Sequence, residues 1–261
     1  MKPLLAAIVV TLTGLGMGVS QGAVSLTDFG TAYTQNFDSL ANSGTSSTLP
    51  AGWAFAESRA NANTTYSAST GSSTTGDTYS FGAENTSERA LGELTSGNLL
   101  SSFGVEVQNS TGIAITGFTI SYAGEQWRLG ALGRLDKLDF QFSSDATDLT
   151  TGNWTDFDTL DFIAPVTTGT VGALDGNVNT VIISGTISGL AVGNGSSIWF
   201  RWRGFDASGA DDGLAIDDFS ITAIPEPAEW GLICALGLMG VCGLHTWRER
   251  RRTRRQLPLV S

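Results

Sequence analysis

Cysteine and histidine are almost missing from this chain. Of 261 residues, two are cysteine (Cys234 and Cys242) and one is histidine (His245), all three inside an apolar run near the C-terminus. Residues 24–224 therefore offer no disulfide, no thiol nucleophile and no imidazole base. Neither a Ser-His-Asp triad nor a zinc site with His or Cys ligands can be assembled there. Positive charge is scarce as well. Residues 24–224 hold 22 Asp and Glu against 7 Lys and Arg, a net charge of −15. Such a surface repels phosphate backbones and argues against nucleic acid as a partner. It suits solubility outside a cell and attracts divalent cations. For catalysis only carboxylates, tyrosines, Lys137 and the arginines remain. They leave a two-carboxylate glycoside hydrolase within reach, yet no sequence pattern pairs two acids for it.

Clean helical periodicity is the third absence. Between 24 and 224 the chain shows short alternating runs broken by Gly, Asn, Asp, Ser and Thr, the pattern of strands and turns. In Leu138-Asp139-Phe140-Gln141-Phe142 and Phe118-Thr119-Ile120-Ser121-Tyr122 every second residue is apolar. Ile198-Trp199-Phe200-Arg201-Trp202-Arg203 sets Ile198, Phe200 and Trp202 on one face and Trp199, Arg201 and Arg203 on the other. Further strands are predicted at 79–84, 88–94, 99–108, 125–132, 179–187 and 213–222. The expected fold is all-β, an antiparallel β-sandwich of jelly-roll type. Two polar stretches, 61–78 and 144–158, read as loops.

The ends of the chain differ from its middle. Met1-Lys2, an apolar Leu4–Leu15 and the small residues of 16–23 have the layout of a secretory signal peptide over 1–23, with cleavage after Ser20, Gly22 or Ala23. At the other end come Pro225-Glu226-Pro227, an apolar segment over 230–247, six arginines within 248–255, and a short tail over 256–261. The apolar segment is near the lower length limit for a membrane helix, and Trp230 and Trp247 would mark its interfaces. The arginines resist translocation and hold that end in the cytoplasm. This order resembles the PEP-CTERM sorting signal of bacterial exported proteins.

The resemblance implies an export route. Exosortase would recognise Pro225, Glu226 and Pro227 while the apolar helix holds the chain in the cytoplasmic membrane. Residues 24–224 would then reach the cell surface or an extracellular matrix rich in exopolysaccharide. The leading expectation is a non-catalytic, exopolysaccharide-associated surface protein. A carbohydrate-binding module is the alternative and a carboxylate-based hydrolase the third.

Within 24–224 one stretch is dense in candidate ligands. It holds Asp206, Asp211, Asp212, Asp217 and Asp218. Leu214 and Ile216 share one parity and Phe219 and Ile221 the other, so if all four point inward a bulge must fall at Asp217-Asp218. The plain reading is a turn of solvated carboxylates, one of them bonded to Arg201 or Arg203. The sharper one is a structural Ca²⁺ site, since clustered oxygens are what that ion takes. The closing run also resembles the last strand of extracellular jelly-roll domains, MAM-like and carbohydrate-binding modules among them. A second candidate is Glu125-Gln126-Trp127-Arg128. Of the tryptophans, Trp53, Trp127 and Trp202 are expected in the core, while Trp154 and Trp199 are the glycan-contact candidates.

Overall fold

The computed structural model describes residues 22–225. In chain order the strands are β1 (Val24–Leu26), β2 (Tyr33–Gln35), β3 (Thr45–Ser46), β4 (Trp53–Ser58), β5 (Tyr66–Ser69), β6 (Asp77–Phe81), β7 (Ala90–Leu94) and β8 (Leu100–Asn109). They continue as β9 (Ile115–Leu129), β10 (Lys137–Ser143), β11 (Thr155–Asp156), β12 (Phe162–Ile163), β13 (Gly172–Ala173), β14 (Thr180–Val192), β15 (Ser197–Gly204) and β16 (Gly213–Pro225). Among the described residues there is no α-helix, only the 3₁₀ turn Asp158–Leu160, and no helix is long and apolar enough to cross a membrane.

The strands form two sheets. The front sheet runs β1-β8-β15-β10-β11, with β4 also on β8 and β12 also on β10. The back sheet runs β13-β9-β16-β7-β6-β5-β3, with β14 also on β9 and β2 also on β16. All pairings are antiparallel except β1 with β8 and β5 with β6.

Alternation decides which side chains meet between the sheets. In the front sheet Phe103, Phe140, Phe200 and Trp202 point inward, and in the back sheet Phe118, Ile120, Leu214, Ile216, Phe219 and Ile221 do. Trp202 sits at the centre, stacked on Trp53 (6.0 Å) and Phe103 (6.1 Å) and edge-on to Tyr122 and Phe140 (5.2 Å each). Each fully buried side chain of this size contributes roughly 1.5–3 kcal/mol, which lets the sandwich stand without disulfides. A smaller apolar cluster, with Tyr79, Phe81, Leu94 and Trp127 among its members, lies on the outer face of the back sheet.

The bulge falls where parity requires it. Leu214, Ile216, Phe219 and Ile221 are all fully buried, and the β9–β16 register shifts between Asp217 and Ser220. Asp218 supplies the extra residue with φ at +48°, a conformation that Asp tolerates better than most side chains.

Two expectations need correction. The 61–78 stretch is not one loop, because β5 lies within it and Tyr66 is buried. The Tyr66 hydroxyl donates to Thr48 O (2.9 Å) and accepts from Ala41 N (3.0 Å), which gives an otherwise polar segment its anchor. The runs 118–122 and 125–132 are parts of one long strand, β9. Pro225 ends β16, paired with Ile115. The signal segment up to residue 21, Glu226, Pro227 and the apolar and arginine-rich segments lie outside the described residues.

Candidate functional site

The outer face of the back sheet carries a cleft of about 340 Å³ lined by carboxylates and carboxamides. Antiparallel register places Glu125 opposite Ala215 and Ala123 opposite Asp217, so Glu125 and Asp217 project from the same face of neighbouring strands. Glu88, on the approach to β7, completes the group. One carboxylate oxygen from each of Glu88, Glu125 and Asp217 lies within 4.8 Å of the others. Asn36, Asp38, Asn177 and Asp218 line the same cleft.

These acids are poorly satisfied by the protein. Asp217 is 7% exposed, yet its Oδ1 has no hydrogen-bond partner, and neither does Glu88 Oε1. Glu88 Oε2 accepts from Asn177 Nδ2 at 2.9 Å, and Glu125 Oε2 from Trp127 Nε1 at 2.8 Å. Burial, reinforced by neighbouring carboxylates, pushes Glu125 up to about 7 and Asp217 up to about 8. Two buried acids, Glu125 and Asp217, and the half-buried Glu88 face each other, and a divalent ion would offset both burial and repulsion. The donor set is all oxygen and comes from three separate segments, which fits Ca²⁺ better than a softer metal. Two orphan oxygens in a buried cluster distinguish this cleft from a turn of solvated acids.

The five aspartates expected to converge do not. Asp217 and Asp218 belong to the cleft, about 16 Å along β16 from Asp212 at ~3.3 Å per residue. Asp206 is at the surface, paired with Arg59 at 2.5 Å. Asp211 and Asp212 are buried in a separate group with Asp136 and Arg134. There Asp212 accepts from Gly130 N (2.6 Å) and Gln126 Nε2 (2.9 Å), while Asp136 accepts from Asp212 N (2.8 Å). Asp211 accepts from Ala207 N (2.9 Å). Their oxygens are spent on holding loops, although burial still raises Asp211 to about 7 and Asp212 to about 6. None of the five bonds to Arg201 or Arg203.

The outer face of the front sheet carries a second feature, an open groove of about 200 Å³. Ala56 and Ser102 contribute small side chains to it, Arg201 and Arg203 project into it from β15, and Leu149 and Thr150 bound it from the 144–154 loop. That loop is stapled rather than loose. Asp145 accepts from Asn153 N (2.8 Å), Asn153 Nδ2 (2.7 Å) and Ser143 Oγ (2.8 Å), which holds its carboxyl below the usual range. Gly152 has φ +76°, and a Cβ there would lie 2.6 Å from the Ala146 backbone.

The tryptophans divide as follows. Trp53, Trp127 and Trp202 are buried, though Trp127 packs in the outer cluster rather than between the sheets. Trp199 points away from the main core but is only 4% exposed, so its ring is closed to a sugar, contrary to the expectation from its parity. Trp154 is half-buried with the Arg201 guanidinium carbon 3.7 Å from its ring centroid, which leaves at most one face for a ligand. Sequence reasoning missed Glu88 and did not join Glu125 to Asp217. Only the β9–β16 pairing brings those two together.

No family model and no curated protein matches the chain. Among solved structures it is similar to the CBM22-1 xylan-binding domain of Paenibacillus barcinonensis Xyn10C, with 14% identity, 77% of this chain and 99% of that one covered, and a TM-score of 0.36. It is similar also to the K1 cleaved adhesin domain of Lys-gingipain from Porphyromonas gingivalis W83, at 12% identity, 75% and 99% coverage and a TM-score of 0.40. TmCBM61, solved with β-1,4-galactotriose, gives 13% identity, 76% and 91% coverage and a TM-score of 0.31. Likeness at this level transfers neither a ligand nor a site.

Proposed function

We propose that the chain is a non-catalytic, carbohydrate-binding β-sandwich that works outside the cytoplasm and is stabilised by a bound calcium ion. The groove on the outer face of the front sheet carries this reading. It is open at the surface, has a floor of small side chains, and is edged by guanidiniums and hydroxyls that can bond a polyol. The tail supports the place of action. A PEP-CTERM-like signal would bring the chain to exosortase and then to a surface rich in exopolysaccharide, where a glycan site has its ligand at hand. The calcium supports the scaffold: Glu88, Glu125 and Asp217 would hold it, tying the loop before β7 to β9 and β16.

The carboxylate cleft favours an ion over hydrolysis. Two-carboxylate glycosidases set their acids on opposite sides of the scissile bond, about 5–5.5 Å apart when retaining and wider when inverting. Here one oxygen from each of three acids lies within 4.8 Å of the others and two of the acids keep an orphan oxygen, a convergence on one point that suits a single cation.

The test is a polysaccharide pull-down with the purified protein and with Ser102→Tyr, which fills the groove from its floor. Retention of the natural protein and loss of the variant is the expected result. Equal retention of both removes the groove from the account, and release of reducing sugar by the natural protein overturns the non-catalytic reading.

A further inference from the structure

Seven basic residues lie among the described residues, and Arg59, Arg134 and Lys137 are ion-paired. Arg89 donates to Ser80 Oγ (2.8 Å) and Arg128 to Gly71 O (3.1 Å). The remaining two, Arg201 and Arg203, stand two residues apart on one face of β15, and both line the groove. Arg201 is fixed in place. Its Nε donates to Gln141 Oε1 (2.7 Å), its Nη1 to Leu149 O (2.5 Å), and its plane rests on Trp154. Arg203 makes no hydrogen bond or ion pair among the described residues, although this part of the chain is strongly acidic.

The neighbouring carboxylates do not neutralise them. Glu57 lines the groove but accepts from Thr78 N (2.9 Å), Thr78 Oγ1 (2.8 Å) and Asn63 N (2.9 Å). Asp139, across the strand pair from Arg203, is paired with Lys137 at 2.5 Å. Asp156 accepts from Gln141 Nε2 at 2.5 Å. Two half-buried guanidiniums held side by side without an ion pair repel each other, and burial together with Arg203 lowers Arg201 to about 10 against a smaller opposing pull from Asp156. An anion between them would remove that cost.

We infer that the groove takes an acidic sugar, with the carboxylate of a uronic acid bound by Arg201 and Arg203. This rests on reading the groove as a carbohydrate site. A planar carboxylate matches the free guanidinium fork of Arg203, and Arg201 adds the N–H groups that Gln141 and Leu149 leave open. Trp154 and Gln141 act as positioning residues that aim Arg201. The overall negative charge of this part of the chain discourages loose adsorption of polyanions, so retention of one would report a local site.

The experiment is calorimetric titration of the purified protein with oligogalacturonate, alginate oligosaccharides and glucuronoxylan oligosaccharides. Each is paired with its carboxyl-reduced neutral form, and a sulfated neutral oligosaccharide serves as a further arm. The expected result is binding of at least one uronate at least tenfold tighter than its reduced form. Arg203→Gln should remove that preference, so that the acidic form binds no tighter than its reduced counterpart. Equal affinity for acidic and reduced forms overturns the inference and spares the carbohydrate reading. Preference for the sulfated arm alone overturns the carboxylate assignment. Binding of none of them removes both.

Discussion

Trp127 Nε1 donates a 2.8 Å hydrogen bond to Glu125 Oε2. A residue buried for its packing thus aims one carboxylate of the cleft. The bond favours the ionised acid and works against the burial that raises it. Trp127→Phe keeps most of the apolar ring and deletes the donor. Calcium affinity, followed by calorimetry, is expected to fall about tenfold, the usual cost of losing an outer-shell partner. Glu125 should titrate higher still, which carbon NMR of its carboxyl would read.

Asp217 is the acid of the cleft that burial shifts furthest, and it carries one of the two orphan oxygens there. Asp217→Asn is expected to stabilise the metal-free protein at neutral pH by about 1–3 kcal/mol, since it removes the ionisation that burial and the neighbouring acids penalise. The same change should abolish the rise in melting temperature on adding calcium. A destabilised variant that keeps its calcium response would place the ion elsewhere.

The pH dependence follows from acids whose folded-state values lie above their unfolded ones. Between the ordinary carboxylate range near pH 4 and about pH 8, the unfolded chain gives up protons that Glu125 and Asp217 retain when folded. Stability of the metal-free protein must therefore fall as pH rises through that window. Asp211 and Asp212, raised to about 7 and about 6, add to the same slope. Calcium reverses the sign for the cleft alone, because it binds the ionised acids. Its stabilising effect should grow from pH 5 to pH 8 and level off above, with protons released on binding at the lower end. Melting curves at fixed calcium across that range check both slopes.

Gly152→Ala tests the groove's wall. The left-handed backbone and the close Ala146 contact leave no room for a methyl group, so the 144–154 loop must shift. The expected cost is about 1–3 kcal/mol of local stability. Loss of the Trp154–Arg201 stack should change the indole fluorescence, while the far-ultraviolet circular dichroism stays that of the sandwich.

Much of the scaffold was legible because alternation is a local signal. The runs around Phe118, Phe140, Phe200 and Phe219 each declared a strand and its inward face, and the parity break in β16 located its bulge. The short strands β1–β3 and β11–β13 were not legible, since two or three residues carry no period. Tyr66 was hidden in a polar stretch because one side chain, not a pattern, buries that segment. The cleft was half visible. Asp217 stood out, but its partners Glu88 and Glu125 come from segments 129 and 92 residues earlier in the chain, joined only by sheet pairing. Trp199 misled because parity says which face a side chain takes and nothing about what covers that face.

The central claim is that the front-sheet groove holds a glycan. Hydrogen–deuterium exchange of the protein with and without a bound oligosaccharide tests it most directly. The account predicts slowed exchange confined to residues 56–58, 100–102, 149–150 and 201–203, with the carboxylate cleft unchanged. Protection around Glu125 and Asp217, with none along β15, would contradict it.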